Sequence, residues 1–200
     1  MSIAGIDTQL LFFINNGLAN PVLDSVMISL SDRGYFLFFP YLLYMLIRGW
    51  SGQAGADVSL LKRVFLITLI STCSFFMANA LADLLKPVFG RFRPCQVVQG
   101  LHLLVRCPHS FSMPSGHAIS SFAAATTLFY LSRYSVPILA RWYPLVLATA
   151  VALSRVYLGV HYPSDVIVGA LLGSTVATLV SLVYERLQPQ QKSLHPDKHS

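Results

Sequence analysis

The sequence predicts an all-α membrane protein, a polytopic bundle of about five transmembrane helices preceded by two interfacial helices. Of its 200 residues, 54% are hydrophobic and 11% are charged, whereas soluble domains carry about 25% charged residues. The mean hydropathy is +0.61, and uncharged apolar runs of transmembrane length recur along the chain. We expect one membrane-embedded domain over residues 1–187 and a disordered cytoplasmic tail over 188–200.

Five segments are candidates for the transmembrane helices. Residues 64–81 and 166–184 are runs of 18 and 19 residues without a charge, long enough to cross a bilayer. Residues 35–47, 118–131 and 143–153 are shorter. The first of these three can extend through its flanks because Arg33 and Arg48 can snorkel to the interface.

Two amphipathic segments precede the first span. Apolar residues at helical spacing over 6–14 predict a helix that ends at the Asn-Asn-Gly sequence of residues 15–17. Asn20 followed by Pro21 is a start signal for a second helix, whose apolar face opposes Asp24. We expect both helices to lie in the membrane interface. The alternative is that the second helix begins a longer first span.

Three polar clusters lie at the ends of the apolar segments. Charge is costly in a membrane, so such clusters indicate a function. Together they supply three cations, two imidazoles, a carboxylate and a Gly-containing turn, which suit a phosphate ester. The candidate residues are Lys86, Arg93, Ser115, Gly116, His117, Arg155, His161 and Asp165.

The two histidines are predicted to act on the phosphorus in turn. Asp165 follows His161 by four residues, so its carboxylate can hydrogen-bond one ring nitrogen and leave the other free as a nucleophile. The product of that attack would be a phosphohistidine. His117 begins a predicted helix, and we expect it to protonate the leaving oxygen and then to activate the hydrolytic water.

The remaining candidates are predicted to bind the phosphoryl group. Lys86, Arg93 and Arg155 would hold its oxygens and stabilise the charge that develops in the transition state. The Ser115 hydroxyl and the N–H of Gly116 would add hydrogen bonds at a helix start.

Other residues near the clusters receive structural interpretations. Arg91 is expected to contact lipid headgroups, and Asp83 to pair with a basic residue of the site. Pro87 and Pro94 are expected to stiffen the loop of the first cluster. Arg155 follows an apolar stretch, so snorkelling is an alternative interpretation of its position.

The clusters together resemble the signature of the type 2 phosphatidic acid phosphatase family, which vanadium-dependent haloperoxidases share. The matching pattern is Lys86–six residues–Arg93-Pro94, Pro114-Ser-Gly-His117, and Ser154-Arg155–five residues–His161–three residues–Asp165. Every signature position is filled. The resemblance implies a helical membrane bundle with its site at one membrane face. It also implies dephosphorylation of a lipid phosphate or diphosphate through a phosphohistidine, without a metal or other cofactor.

The distribution of basic residues predicts the orientation. The loop over 48–63 carries three basic residues against one acidic residue, and the segment over 133–141 carries two and none. The positive-inside rule places both in the cytoplasm. Alternation of the spans then places all three clusters on the external or periplasmic face of the cell (inner) membrane. The N-terminus is predicted to be external and the C-terminus cytoplasmic.

The three cysteines divide between a span and the external loop. Cys95 and Cys107 are 12 residues apart in that loop, where an oxidising environment would allow a disulfide that holds Arg93. Cys73 lies inside a span, where we expect it to pack.

Several functions fit these motifs and the membrane layout around them. We favour an undecaprenyl diphosphate phosphatase, because the chain is compact, carries no extra domain and faces outward, where that carrier lipid is released. Phosphatidylglycerophosphate, phosphatidic acid and lipid A 1-phosphate are alternative substrates, and a lipid phosphotransferase is an alternative enzyme. A haloperoxidase is disfavoured because those proteins are soluble as a rule, and a transporter or channel because the charge gathers at one face.

The expected partners are a phosphorylated lipid and the bilayer. Nucleic acid is not expected because the basic residues are scattered over loops, and no obligate protein partner is evident. A metal held by His117, His161 and Asp165 is conceivable by ligand type. The three neighbouring cations would repel it, so we expect none.

Overall fold

The computed structural model describes residues 3–50 and 58–187, and over these ranges the chain is helical and contains no β-strand. Two 3₁₀ segments, Gly34–Phe38 and Ser132–Tyr134, connect helices. The helices are α1 (Ile3–Asn15), α2 (Pro21–Arg33), α3 (Phe39–Trp50), α4 (Val58–Phe89), α5 (Pro94–Val97), α6 (Gly116–Leu131), α7 (Ile138–Tyr157) and α8 (Pro163–Leu187). The all-α prediction is confirmed, while the tail predicted over 188–200 lies outside the described residues.

The N-terminal helices form as their end signals predict. The Asn20 side chain caps α2 by accepting a hydrogen bond from the N–H of Leu23 at 3.0 Å, and Pro21 occupies the first helical position. A 3₁₀ segment separates α2 from α3. The location of α1 and α2 in the membrane interface stays a prediction.

Four of the predicted spans lie within single α-helices, whereas the span predicted over 35–47 begins in the 3₁₀ segment Gly34–Phe38 and continues in α3. The second span extends further than its uncharged run. Helix α4 continues to Phe89, so Lys86 and Pro87 lie in its last turn and not in a loop as predicted. Pro87 has no N–H to donate to the carbonyl of Asp83, and the helix ends two residues later. Gly90, with φ of 57°, ends the helix, and its N–H donates to the Lys86 carbonyl at 3.0 Å.

The apolar helices face outward as well as inward. The segment Leu61–Val97, which begins in α4, and helix α8 are long and apolar enough to cross a membrane, with best-window hydropathies of 1.9 and 2.2. Only 28% of each window is buried inside the molecule, whereas a core helix of a soluble protein would be mostly buried. The exposed apolar side chains include Phe65, Phe76 and Leu171. Such a surface matches lipid and would be a liability in water.

Helix α6 is the centre of the bundle and packs against α4, α7 and α8. Its contact with α8 is close because two glycines of α8 face the α6 backbone. A Cβ added to Gly173 would lie 2.1 Å from the carbonyl oxygen of Ile119. One added to Gly169 would lie 2.9 Å from that of Ser115. This approach fixes the start of α6 against the start of α8, where two of the polar clusters lie.

A disulfide closes the segment between α4 and α6. Cys95 and Cys107 are bonded to each other, as predicted. Cys73 is a free cysteine on α4, inside the predicted span, and its side chain is exposed on the surface of the bundle.

We predict that Gly173→Ala destabilises the protein. The added methyl group would meet the backbone of α6, and overpacking of this kind costs about 1–3 kcal/mol, more than the gain of about 1 kcal/mol in helix propensity. The measurement is thermal unfolding of the purified protein in detergent micelles. Leu171→Ala is the matched control because Leu171 is exposed on the same helix. Equal melting temperatures for Gly173→Ala and the unsubstituted protein would contradict the packing described here.

Candidate active site

The three polar clusters meet at one end of the bundle. Arg93 of the first cluster contacts His161 of the third, with 2.9 Å between Nη1 and Nε2. The N–H of Ser115 donates to the Asp165 carbonyl oxygen at 3.1 Å. The Nζ of Lys86 lies 3.8 Å from the position that a Cβ on Gly116 would occupy. The fold therefore brings together residues that are up to 79 positions apart in sequence, Lys86 and Asp165.

Burial and hydrogen bonding fix the carboxylate of Asp165. It is fully buried, and its Oδ2 accepts the N–H of Tyr162 at 2.8 Å and the hydroxyl of Ser112. The same oxygen lies 3.5 Å from Nδ1 of His161. The predicted pairing of this carboxylate with the imidazole is therefore present in the geometry.

The contact with Arg93 defines which nitrogen of His161 carries the proton. A guanidinium group can only donate hydrogen bonds, so Nε2, 2.9 Å from Arg93 Nη1, must be the unprotonated nitrogen. Nδ1 then carries the proton and faces Asp165 and the Ser112 hydroxyl, which is 3.4 Å away. Nε2 is thus an acceptor directed at a cation, and not the unpartnered nitrogen that the sequence suggested.

Burial keeps this imidazole neutral. His161 is 2% exposed, and burial lowers the pKa of its ring to about 4, although the neighbouring Asp165 carboxylate acts in the opposite direction. Burial also lowers the pKa of Arg93 to about 10, with a further contribution from Arg155. At neutral pH the site therefore combines a neutral imidazole with a fixed cation.

The guanidinium group of Arg93 is held by more than its contact with His161. Its Nε donates to the Ser110 carbonyl at 2.8 Å, Nη2 donates to the Ser110 hydroxyl at 3.0 Å, and Nη1 donates to the Val160 carbonyl at 3.1 Å. Arg93 is itself the residue before α5, and the disulfide at Cys95 lies in that helix. Its position is therefore set before any ligand arrives.

Arg91 is not a headgroup contact, and that prediction is wrong. Its Nη1 donates to Asp165 Oδ1 at 2.8 Å, and its Nη2 lies 2.6 Å from Asp7 Oδ2. The guanidinium carbon also stacks over the Tyr162 ring, 3.9 Å from its centroid. Arg91 faces the protein because two buried carboxylates need a counter-charge.

Arg155 also points into the protein, so the snorkelling interpretation is wrong. It is 8% exposed, and its Nη1 donates to the Ser31 hydroxyl of α2. Its Nε is buried and has no hydrogen-bond partner within the described residues. A buried guanidinium N–H without an acceptor is costly, and an anionic oxygen is the acceptor that suits it best.

The second cluster begins α6, as predicted. The Ser115 hydroxyl accepts the N–H of Ala118 at 3.5 Å, which makes Ser115 the N-cap, and Gly116 is the first helical residue. The His117 ring stacks on Tyr35, with 5.7 Å between centroids, and has Arg155 and His161 as electrostatic neighbours. The N–H groups of the first turn are directed out of the N-terminal end of α6, the end at which His117 lies.

Lys86 completes the group of cations. Its Nζ lies 2.7 Å from Oδ1 of Asp83, one turn earlier on α4, which confirms the prediction that Asp83 pairs with a basic residue of the site. Asn79 lies one turn before Asp83 on the same helix. Its Oδ1 lies 3.6 Å from the position that a Cβ on Gly116 would occupy. Lys86 and Asn79 therefore both approach the start of α6.

Sequence reasoning missed several residues of the site. Ser112 had a signal, because it lies two residues before the Pro114-Ser-Gly-His turn. The sequence signal for Asp7 was weak: it is a single acidic residue on an apolar segment. Ser31 and Tyr35 had none, because their partners are far away in sequence. Within the described ranges, no group of three or more His, Cys, Asp or Glu side chains is arranged to hold a metal ion.

The chain is similar in sequence and fold to known proteins. The family model of the PAP2 superfamily matches residues 65–189. The chain is 34% identical over 190 residues to undecaprenyl-diphosphatase of Sulfolobus acidocaldarius, covering 94% of this chain and 82% of that protein. It is 30% identical over 203 residues to lipid A 4'-phosphatase of Bacteroides thetaiotaomicron, covering 97% and 84%. The crystal structure of Aquifex aeolicus LpxE superposes with a TM-score of 0.67 at 25% identity, covering 88% and 94%.

We predict that His161 stays neutral until the pH falls to about 4, because burial disfavours its charged form. A free histidine titrates near pH 6.5. Between these values the unfolded chain binds more protons than the folded one, so this residue makes the fold less stable as the pH falls through that window. The measurement is NMR of ¹⁵N-histidine-labelled protein in micelles, with the signal assigned by its loss in His161→Ala. A midpoint at or above 6.5 would contradict this prediction.

Proposed function

This chain belongs to the PAP2 superfamily, and from that premise we propose that it hydrolyses undecaprenyl diphosphate to undecaprenyl phosphate and inorganic phosphate. The broader class is plain from the comparisons: it is a membrane hydrolase of lipid phosphates. The choice of substrate is supported by the relative with 34% identity, whose name gives this activity and which aligns with 94% of the chain.

One observation carries the mechanism. The nitrogen of His161 that faces a cation is the unprotonated one, since Arg93 Nη1 donates to it at 2.9 Å. A phosphoryl oxygen bound by Arg93 would bring its phosphorus next to the lone pair of Nε2. Attack by a neutral imidazole held in this way requires no proton transfer from the nucleophile.

In the first step, Nε2 of His161 attacks the terminal phosphorus. The N–P bond forms as the bond from phosphorus to the bridging oxygen breaks. The negative charge of the bound phosphoryl group favours the protonated form of His117, which gives its proton to that oxygen as the lipid leaves. Asp165 stabilises the positive charge that develops on the imidazole, because its Oδ2 lies 3.5 Å from Nδ1.

In the second step, a water molecule attacks the phosphorus of the phosphohistidine. His117, now unprotonated, takes a proton from the water as the new P–O bond forms and the N–P bond breaks. Inorganic phosphate leaves, and both histidines return to their starting protonation states.

The cations act on the phosphoryl oxygens throughout. Lys86, Arg93 and Arg155 bind these oxygens and stabilise the negative charge of the transition state. The buried and unpartnered Nε of Arg155, which has no acceptor among the described residues, supports this role. The Ser115 hydroxyl and the N–H of Gly116 add hydrogen bonds at the start of α6.

A cleft between α3 and α4 is suited to the start of the lipid chain. It encloses about 430 Å³ and is lined mainly by aromatic and aliphatic side chains, among them Phe38, Leu42 and Phe75. Tyr35 lines the same cleft and stacks on His117. A lipid held there would present its headgroup to His117 while the rest of its chain stays in the bilayer.

The membrane orientation belongs to the same proposal. The basic residues of the 48–63 and 133–141 segments favour a cytoplasmic location for the opposite end of the bundle. The site would then face the external or periplasmic side, where a spent carrier lipid is released, and the C-terminus would be cytoplasmic. The contact between Asp7 of α1 and Arg91 supports an N-terminus on the same side as the site.

A second candidate is the hydrolysis of a lipid A phosphate. It is favoured by the relative of 30% identity named lipid A 4'-phosphatase. This substrate is a phosphate monoester, whereas undecaprenyl diphosphate is an anhydride, and the two make different demands on the general acid.

We predict that purified protein in detergent micelles releases phosphate from undecaprenyl diphosphate in the presence of EDTA. His161→Ala should lower the rate by about 10³-fold or more, because the nucleophile is lost. His109→Ala is the matched control, as His109 is exposed in the segment between α4 and α6.

Lipid A, phosphatidylglycerophosphate and phosphatidic acid are assayed in parallel to rank the substrates. Loss of activity in EDTA that a divalent ion restores would overturn the mechanism, and release unaffected by His161→Ala would exclude this nucleophile.

We further predict that His117→Ala impairs monoester substrates more than diphosphate substrates. General acid catalysis raises the rate by about 10²–10⁴-fold. A monoester substrate depends on it most, because its leaving group without protonation is an alkoxide. A lipid phosphate is a far better leaving group. The measurement compares kcat/KM for phosphatidic acid and for undecaprenyl diphosphate in this variant and in the unsubstituted enzyme. Equal losses on both substrates would argue against His117 as the general acid.

A further inference from the structure

Helix α1 reaches the candidate active site through one buried carboxylate. Asp7 is 5% exposed, although it lies on a short and mostly apolar helix. Its Oδ1 accepts the N–H of Ser164 at 2.9 Å, and its Oδ2 accepts the Ser164 hydroxyl at 2.5 Å. Oδ2 also lies 2.6 Å from Nη2 of Arg91. These donors satisfy the buried carboxylate and hold it in one position.

Arg91 joins this carboxylate to the one that faces the nucleophile. Its Nη2 binds Asp7, and its Nη1 binds Asp165 Oδ1 at 2.8 Å and Ser164 Oγ at 2.6 Å. Of the two carboxylates, it is Asp165 that contacts His161. The chain of contacts therefore runs from α1 through Arg91 to α8 and ends at the imidazole.

The charges along this chain alternate. Asp165 is fully buried, and a buried carboxylate without a counter-charge would draw a proton onto the neighbouring imidazole. The positive charge of Arg91 offsets the negative charge of Asp165. The negative charge of Asp7 in turn weakens this effect of Arg91. The balance decides how much negative charge His161 experiences.

We propose that Asp7 and Arg91 are positioning residues of the hydrolase, which hold Asp165 in the orientation and charge state that aim Nε2 of His161 at the phosphorus. This inference rests on the proposed role of His161 as the nucleophile. It gives α1 a part in the reaction, although α1 lies outside residues 65–189, the range that the family model matches.

Other groups also act on His161, and the test must separate them. Arg93 faces Nε2 from the start of α5, Asp165 faces Nδ1 from α8, Arg155 approaches from α7 and His117 from α6. None of these is changed in the variants chosen below. A shift in the protonation of His161 therefore reports on Asp7 and Arg91.

The experiment measures two quantities in Arg91→Gln, Arg91→Lys and Asp7→Asn. The first is the pH midpoint of the His161 signal in ¹⁵N-histidine-labelled, substrate-free protein. The second is the pair kcat and KM for phosphate release from undecaprenyl diphosphate.

The two neutralising variants should move the midpoint in opposite directions. Arg91→Gln removes a positive charge and should raise the midpoint by about one pH unit, and Asp7→Asn removes a negative charge and should lower it by a smaller amount. Each should reduce kcat by about 10–100-fold, the loss typical when groups that orient a histidine are removed. KM should change little, because neither residue contacts the substrate.

Arg91→Lys separates charge from orientation. It keeps the positive charge, so the midpoint should return towards that of the unsubstituted protein. A single ammonium group cannot reproduce the contacts that Nη1 and Nη2 make with two carboxylates. The value of kcat should therefore stay low.

Matched controls remove the same charges elsewhere. Arg106→Gln changes an exposed arginine of the segment between α4 and α6. Asp24→Asn changes a carboxylate of α2 that contacts Tyr157 and His102 and not Arg91. Neither control should move the midpoint.

The inference is wrong if Arg91→Gln leaves the His161 midpoint where Arg106→Gln leaves it, or if Asp7→Asn retains full kcat. The midpoint does not depend on turnover. Absence of phosphate release from the unsubstituted protein would therefore count against the proposed function, while the NMR midpoints would still decide the positioning role.

Discussion

A carboxylate buried away from water must receive hydrogen bonds and a counter-charge, and at Asp165 this requirement organises the end of the bundle. Its oxygens are bound by the N–H of Tyr162, the hydroxyl of Ser112 and the guanidinium of Arg91. These donors come from three segments: the turn before α8, the residues before α6 and the residues after α4. Each segment is thereby fixed relative to one side chain, and breaking one contact would leave an uncompensated buried charge.

The backbone contact between α6 and α8 supports this arrangement. Because two glycines of α8 face α6, the start of α6 lies close enough for the Ser115 N–H to bind the Asp165 carbonyl at 3.1 Å. Asp165 therefore fixes His161 through its side chain and the second cluster through its backbone. Catalytic geometry tolerates little error, since a displacement of about 1 Å can cost about 10²-fold in rate. Close helix packing of small residues supplies that accuracy in a membrane, where no hydrophobic effect drives helices together.

The parts predicted well are those whose cause is local. Apolar runs indicated the helices, Asn20-Pro21 indicated the start of α2, and the spacing of His161 and Asp165 indicated their pairing. The errors have equally clear causes. Pro87 is a helix breaker by local rules but lies in the last turn of α4. The predicted lipid contact of Arg91 is wrong because its partner Asp7 lies 84 residues away in sequence. Partnerships between distant buried charges leave no periodicity that sequence reasoning can detect.

The contact between Arg93 and His161 suggests how substrate binding and nucleophile activation are coupled. A phosphoryl oxygen is charged and is therefore a stronger acceptor for a guanidinium than a neutral imidazole nitrogen. When the phosphoryl group binds, Arg93 can transfer its Nη1 hydrogen bond from Nε2 to that oxygen, while its bonds to Ser110 and Val160 keep it in place. In the proposed mechanism, the lone pair of Nε2 would then be released next to the phosphorus that it attacks. Arg93 would thereby shield the proposed nucleophile until a phosphoryl group is present, and the binding that orders the substrate would free the nitrogen.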